Sequence, residues 1–236
     1  MALNRVFIIL TNLPVAGSLF RRANSQLLQV ALNRTVRTNA YHLQKIGSDY
    51  GGWIVPSDRV DSSSICYCVG AGEDITFDIG LIEKYGCEIF SFDPTPRAIR
   101  HMENIAGAES RYRFFAKGLW SSNCRMRFYA PRNPKHVSHA IVNLQGTSDY
   151  FEAECDRLSN IMKSLGHTRL DLLKLDIEGA EWVVLDSILE DRLDVRTLCV
   201  DFEPTLFVAV VSLVLRLRRA GHILADIDGW NFTFIR

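Results

Sequence analysis

The sequence predicts an α/β domain in which a mostly parallel sheet is covered by helices on both faces. Three observations carry this. From Ile65 onward, short continuous apolar runs alternate with helical stretches, the pattern of parallel strands buried on both sides. A turn with two glycines, "GAGED", follows the first of these runs directly. The chain has 236 residues, 47% of them hydrophobic, which suffices for one sizeable core.

Taken in order, residues 1–50 read as an N-terminal extension, partly helical, with one or two modest helices across 24–46. Within it "VFIILTNLPVAGSLF" (Val6–Phe20) is apolar and bounded by Arg5 and by Arg21 and Arg22. It falls short of the roughly 20 residues that span a bilayer, and Asn12 and Pro14 interrupt it. A positive start before an apolar stretch resembles a signal peptide, but Arg-Arg stands where a small-residue cleavage site belongs. The expectation is an ordinary extension of a cytoplasmic protein, with membrane association through residues 6–20 as the alternative. "DYGGWIVPSD" (Asp49–Asp58) reads as a connector, and the domain proper as 51–236.

Ile65–Val69 is the first strand of that domain. Asp74–Tyr85 is a helix with Ile75, Ile79 and Ile82 on one face and Gly86 as its stop. Cys87–Asp93 is the second strand and Arg97–Ala106 the second helix. "YRFFAKGLW" (Tyr112–Trp120) is the third strand, and Arg125–Pro131 a further extended piece. Arg132–Ser148 is a polar loop; its His136 and His139 lack a helix and further ligands, so a solvated loop is the better reading than a metal site. Leu170–Asp176 is the fourth strand, Ala180–Leu189 a helix, and Arg196–Phe202 the fifth strand. Leu206–Gly221 is an apolar helix with a basic end, and two strands around Asp228–Gly229–Trp230 close the chain as a hairpin.

Net charge is zero but uneven. Residues 1–60 hold seven Lys/Arg against two Asp/Glu, and the remainder twenty against twenty-five. The basic segment could meet a membrane surface or an acidic partner, but a solvated extension is the plainer account. No nucleic-acid partner is expected. None of the six cysteines forms a C-x-x-C pair, so no zinc motif is present. They read as small buried side chains in a reducing compartment, with Cys66 and Cys68 sharing one strand face.

In a parallel sheet, ligands bind beyond the carboxyl ends of the strands. The turn Val69, Gly70, Ala71, Gly72, Glu73, Asp74 stands there, and Asp93 ends the next strand about twenty residues on. A carboxylate at that spacing can accept both ribose hydroxyls of an adenosine cofactor. The dinucleotide fingerprint wants a third glycine, where this chain has Ile75, and Glu73 and Asp74 put negative charge where a pyrophosphate would lie. That pattern suits S-adenosylmethionine, whose tail carries an ammonium and a sulfonium, better than NAD. Asp176 and Glu178, close together at the end of the fourth strand, are the candidate catalytic pair. They would orient a substrate hydroxyl or act as its base; a structural role ranks second, and a divalent metal shared with Asp201 or Glu203 third, so no metal ligand is assigned. Glu181 reads as a favourable charge in the first turn of its helix, and Lys174 as a packing or pairing residue.

"GAGEDITFD", "FSFDPTP", "GLW", "DFEP" and above all "LDLLKLDIEGAEWVVL" (Leu170–Leu185) make the chain resemble the FkbM family of class I S-adenosylmethionine-dependent methyltransferases. The resemblance covers roughly Gly51 to Arg236. It implies a seven-stranded Rossmann-like sheet with an antiparallel closing hairpin, and methyl transfer, commonly to oxygen. It also implies that Pro94, Gly118 and Leu119 join the turn, Asp93 and Asp176 around the cofactor. The acceptor implied is a hydroxyl on a small molecule, sugar or lipid-linked compound. Many members carry an acid two places before the first glycine; Cys68 stands there, and Glu73 or Asp74 is expected to supply the charge. The substrate cavity is expected from Arg132–Ser148, Trp120, Trp230 and parts of the extension. An NAD-dependent oxidoreductase and a non-catalytic nucleoside-binding module are the competing readings.

Overall fold

The computed structural model describes residues 23–24, 26–28, 30–32, 35–37, 40–105, 109–130, 141, 146–202 and 205–236. Val6–Phe20, His136, His139 and Glu203 lie outside these residues.

The helical residues between 23 and 32 bury Leu28 and Leu32 against the main core. A hairpin follows, β1 (Leu43–Ile46) with β2 (Trp53–Pro56), antiparallel and in register from Leu43 opposite Pro56 to Ile46 opposite Trp53. This corrects the end of the stretch 24–46, read as one or two modest helices, and the reading of 49–58 as a connector. Cross-strand pairing and burial of Ile46, Trp53 and Val55 decide the matter, and neither is local to either segment.

The alternation then begins. β3 (Ile65–Val69) leads to α1 (Thr76–Tyr85), β4 (Glu88–Phe92) to α2 (Pro96–Ile105), and β5 (Tyr112–Phe115) follows. The predicted third strand ends there: Lys117 N–H bonds back to the Phe115 carbonyl at 2.8 Å, and the chain leaves the sheet. Its second half is a separate strand, β6 (Gly118–Leu119). β6 pairs in parallel with β8 (Tyr150–Asp156), which pairs antiparallel with β7 (Cys124–Tyr129), giving a three-stranded side sheet. β8 and the helix after it, α3 (Leu158–Leu165), had no counterpart in the sequence reading. β9 (Arg169–Leu175), α4 (Glu181–Glu190), β10 (Asp194–Asp201), α5 (Phe207–Arg219), β11 (Ile223–Asp228) and β12 (Asn231–Ile235) complete the chain near their expected places.

The main sheet has seven strands in the order β11-β12-β10-β9-β3-β4-β5. Its first five strands in chain order run parallel, and β12 lies antiparallel between β10 and β11. This is the Rossmann-like sheet that was expected, closing hairpin included. From β3 the chain winds outward through β4 and β5, then returns to add β9 and β10 on the other side. The order therefore reverses between β3 and β9, the switch point where such sheets open a crevice.

Strand alternation gives two cores. Tyr67, Val69, Phe90, Phe92, Leu173 and Leu175 face the side covered by α3, α4 and α5. Cys66, Cys68, Ile89, Leu172 and Cys199 face the side covered by α1 and the β1–β2 hairpin. All six cysteines are free and five are buried, with Cys66 and Cys68 on one face as expected. Full burial of a side chain such as Phe90 or Phe92 contributes about 1.5–3 kcal/mol. The Tyr67 hydroxyl, at the heart of the first core, meets His167 Nδ1 at 2.7 Å. In α1 the buried face is Phe77, Asp78, Leu81 and Ile82, while Ile75 and Ile79 are half-buried, a rotation from the predicted stripe. Asn24 ties the early helix to α5: its Oδ1 accepts the Phe207 N–H at 2.9 Å and its Nδ2 donates to the Thr205 carbonyl at 2.7 Å. That satisfies one of the free N–H groups at the start of α5. No helix among the described residues is long and apolar enough to cross a membrane.

Candidate functional site

A cavity of about 580 Å³ opens at the carboxyl ends of β3, β4, β9 and β10, on the switch point. Every residue assigned from sequence to cofactor binding or catalysis lines it: the whole turn from Val69 to Asp74, then Asp93, Pro94, Gly118, Leu119, Asp176 and Glu178. They come from four separate stretches of chain, which only the sheet order brings together.

The turn is built tightly. Gly70 has φ +85°, and a Cβ there would lie 1.8 Å from the Asp176 carbonyl oxygen. Its N–H bonds to the Phe92 carbonyl at 2.9 Å, so the turn is fastened to β4 on one side and pressed on β9 at the other. Gly72, with φ +56°, has open space where its Cβ would be. Asp93 is 5% exposed; its Oδ2 accepts the Gly72 N–H at 2.9 Å and its Oδ1 the Thr95 N–H at 2.7 Å. The carboxylate thus holds the turn and still keeps acceptor capacity on both oxygens.

The two acids of the turn both have partners within the chain. Glu73 forms a two-pronged pair with Arg97, Oε1 to Nε at 3.2 Å and Oε2 to Nη2 at 2.5 Å. Asp74 accepts the Ser48 hydroxyl at 2.6 Å, the Thr76 hydroxyl at 2.6 Å and the Thr76 N–H at 3.0 Å. Burial pushes its carboxyl up, but these bonds outweigh burial and hold it below the ordinary aspartate range. Asp74 therefore caps α1 and anchors the β1–β2 loop. Both acids line the cavity. Cys68 itself is buried and meets Asp78 on α1, which also bonds Ser91 and Tyr112. Burial raises the Asp78 carboxyl above its ordinary value, with Lys174 working against it.

The carboxylates with freedom to act stand on the other side of the turn. Asp176 follows β9 directly, and its Oδ2 lies 3.4 Å from Lys174 Nζ. Burial and then Glu178 push the Asp176 carboxyl up, and the Lys174 ammonium pulls it back. Lys174, 5% exposed, also donates to the Gly70 carbonyl at 2.8 Å and lies 6.0 Å from the Trp53 ring centre. Burial alone would lower its ammonium; Asp176 and Asp78 overcome this and hold it above its usual value. Glu178 sits in left-handed backbone at φ +52°, an unusual conformation for a residue with a side chain, and Gly179 follows at +94°. Glu181 steadies this loop, its carboxyl accepting N–H bonds from Ile177 at 3.1 Å and Gly179 at 2.9 Å. Burial pushes Glu181 up to about 8.

Asp201, at the end of β10, lines the same cavity. Burial first, then Asp176 and Glu178, push its carboxyl up to about 7. Among the described residues no group of three or more His, Cys, Asp or Glu side chains has metal-holding geometry.

Sequence reasoning missed Gly51 and Trp53 from the hairpin, and Arg97 and Asn231, and weighed Asp201 only as a third-ranked metal partner; all line the cavity, as does Tyr50 from the extension. "GGW" in the supposed connector was the available signal for the first group. Trp120 and Trp230, expected in the cavity wall, do not line it. Trp120 packs against the side-sheet cluster and Trp230 against the main core. Of the polar loop Arg132–Ser148, Ile141 reaches the cavity; residues 132–140 and 142–145 lie outside the described residues.

Comparison with known proteins agrees with this architecture. The model of the methyltransferase FkbM domain matches residues 65–222. Probable methyltransferase-like protein 24 of Homo sapiens is 29% identical over 130 residues, and that of Rattus norvegicus 30% identical over 130 residues. Each alignment takes in 54% of this chain but 29% of the relative's length, so the chain spans less than a third of these curated relatives. The matched region runs from β3, through the turn and the "KLDIEGAEW" stretch, to the end of α5, and on that match the chain belongs to the FkbM methyltransferase family.

Proposed function

We propose that this chain is an S-adenosylmethionine-dependent methyltransferase acting on a hydroxyl of a small molecule, sugar or lipid-linked acceptor. The observation that carries the reading is the union of the glycine turn, Asp93 and Asp176 in one cavity at the switch point. A volume of about 580 Å³ falls within the usual range of cofactor and ligand sites, about 300–1,000 Å³. The residues present fit an adenosyl cofactor. The open space at Gly72 admits a ligand against the backbone, and the Asp93 oxygens can each take a hydroxyl donor in addition to their backbone N–H. Pro94, Gly118 and Leu119 would flank the base, and Asp176, with Lys174 behind it, would face the charged tail.

The cofactor, when bound, supplies an activated methyl group with its own leaving group. The chain's work is to hold an acceptor oxygen in line behind that methyl and to keep water out. Trp53, Phe128 and Ile141 are the apolar walls available for exclusion. Asp176 and Glu178 would orient the acceptor hydroxyl. The geometry is poor for a dinucleotide, because Asp74 already occupies the Thr76 N–H at the start of α1, where a pyrophosphate would need it. Six free cysteines suit a reducing compartment, and a cytoplasmic location and a small-molecule acceptor are parts of the same proposal.

Calorimetric titration tests the reading. S-adenosylhomocysteine should bind and raise the melting temperature, since a ligand of the native state stabilises it by mass action. NAD should do neither. A chain that binds NAD and ignores S-adenosylhomocysteine would refute the proposal.

A further inference from the structure

We propose that Asp201 is the base that receives the acceptor's proton, while Asp176, tied to Lys174, orients the acceptor. This rests on the methyl-transfer reading above and gives one carboxylate a role that the sequence motif assigns to none.

Position comes first. Val200 of β10 stands opposite Leu175 of β9 in a parallel ladder, so Asp201 and Asp176 emerge side by side at the same end of the sheet. By strand alternation both lie on the face of Lys174 and Cys199, the face that carries the hairpin with Trp53. On its other side Asp201 pairs in register with Asn231. Both lie on the cavity wall.

Commitment comes second. Asp176 is held 3.4 Å from a buried ammonium, and taking a proton would cost it that ion pair. Glu178 stands on the strained loop. Asp201 makes no side-chain hydrogen bond or ion pair with any of the described residues. Its carboxyl faces Asp176 and Glu178 from the loop after β9, Lys174 from β9, and Asn231 from β12, with Tyr50 and Trp53 across the cavity. Burial and the two neighbouring carboxylates leave it near half-ionised at neutral pH, at about 7. A general base works best when its pKa lies near the working pH.

The step balances. The acceptor O–H bond breaks and its proton passes to an Asp201 carboxylate oxygen. The oxygen's electron pair forms the new C–O bond. The C–S bond breaks with its pair left on sulfur, giving a neutral thioether. One carboxylate and one sulfonium are consumed together, so no net charge is stranded in the cavity.

The test uses the full chain as wild type, Asp201→Asn, Asp176→Asn and Glu181→Gln. Infrared difference titration from about pH 5 to 9 follows the protonated carboxyl band. The component with a midpoint near 7 should vanish in Asp201→Asn, persist in Glu181→Gln, and move to lower pH in Asp176→Asn, which removes a neighbouring carboxylate. With tritiated-methyl S-adenosylmethionine and a panel of monosaccharides and phenols, Asp201→Asn should lower kcat about 10²–10⁴-fold and raise the donor KM far less. The wild-type rate should fall below pH 7. Circular dichroism checks folding, and Asp201→Ser replaces the amide if that variant does not fold. Persistence of the neutral titration in Asp201→Asn, or an unchanged kcat, would overturn the assignment. Calorimetry with S-adenosylhomocysteine on the same samples separates the two levels. Wild type that fails to bind it removes the methyltransferase reading and this proposal with it, whereas binding retained in Asp201→Asn with kcat intact removes this proposal alone.

Discussion

Replacing Gly70 by alanine should damage the protein far more than the same change at Gly72, although the two are separated by one residue in one turn. At Gly70 the new Cβ would sit 1.8 Å from the Asp176 carbonyl oxygen and 2.8 Å from its carbon. Reaching a tolerable 3.0 Å requires the two backbones to part by about 1.2 Å. That movement stretches the Asp176 N–H bond to the Val69 carbonyl, now 3.1 Å, and the Lys174 bond to the Gly70 carbonyl, now 2.8 Å. Left-handed backbone for a residue with a side chain costs about 1–3 kcal/mol. Forced overpacking adds about 1–3 kcal/mol. A middle value of about 4 kcal/mol, at about 2–4 °C per kcal/mol for a chain of this size, lowers the melting temperature by roughly 8–16 °C. At Gly72 no atom lies within 4 Å of the new Cβ, so the backbone penalty of about 1–3 kcal/mol stands alone, without the overpacking. Thermal unfolding of both variants, with urea titration to confirm an unchanged slope, gives the comparison. A Gly70→Ala melt within about 2 °C of wild type, which corresponds to under 1 kcal/mol, would refute the reasoning, as would a Gly72→Ala melt equally depressed.

Further outcomes follow from the same contacts. Asp93→Ala should weaken S-adenosylhomocysteine binding about 10- to 100-fold by calorimetry. It should also lower stability, because two backbone N–H groups lose a charged acceptor worth about 1.5–3 kcal/mol each. Lys174→Met should destabilise by about 3–5 kcal/mol in urea unfolding, since Asp78 and Asp176 lose their counter-charge. The loss should grow from pH 5 to pH 8, because Asp78, its carboxyl already raised by burial, is then forced to ionise without a partner. His222 is 3% exposed and burial lowers its pKa, so its contribution to stability is present above about pH 6.5 and is lost as pH falls through the depressed value. The melting temperature of His222→Gln should therefore change less between pH 7.5 and pH 5 than that of wild type.

The parallel strands were legible because each is a short apolar run that local pattern alone identifies, and the turn because two glycines and an acid stand at telling places. What escaped depends on partners distant in sequence. "LQKI" carries no strong period, and it is a strand because "WIVP" pairs with it and Thr233 bonds the Ile54 carbonyl at 2.6 Å. "YFEAECD" alternates, but its apolar members face a side sheet that exists only because β6 leaves the main one. At the site the sequence names the carboxylates without their counter-charges. Glu73 and Asp74 looked free to greet a cation. Arg97, twenty-four residues on, and Ser48, twenty-six residues back, had already claimed them.

The charge arithmetic of the cavity explains why Lys174 matters more than a packing residue would. Asp93, Asp176, Glu178 and Asp201 line it, and of the two cations among its described lining residues Arg97 is committed to Glu73. Among the described residues that leaves Lys174 to answer the rest, and it does so from a buried position, also serving Asp78 on the α1 side of the sheet. A carboxylate cluster with one ammonium is a poor arrangement for stability, since like charges in a site of reduced solvation raise one another's pKa. Two outlets relieve it without unfolding the chain. Asp201 can carry a proton near neutrality, or a positively charged ligand can enter. On the proposed reading the first outlet would make a base and the second a binding site for a sulfonium. A bound sulfonium would favour the ionised form of Asp201, so the base would be readied as the donor enters.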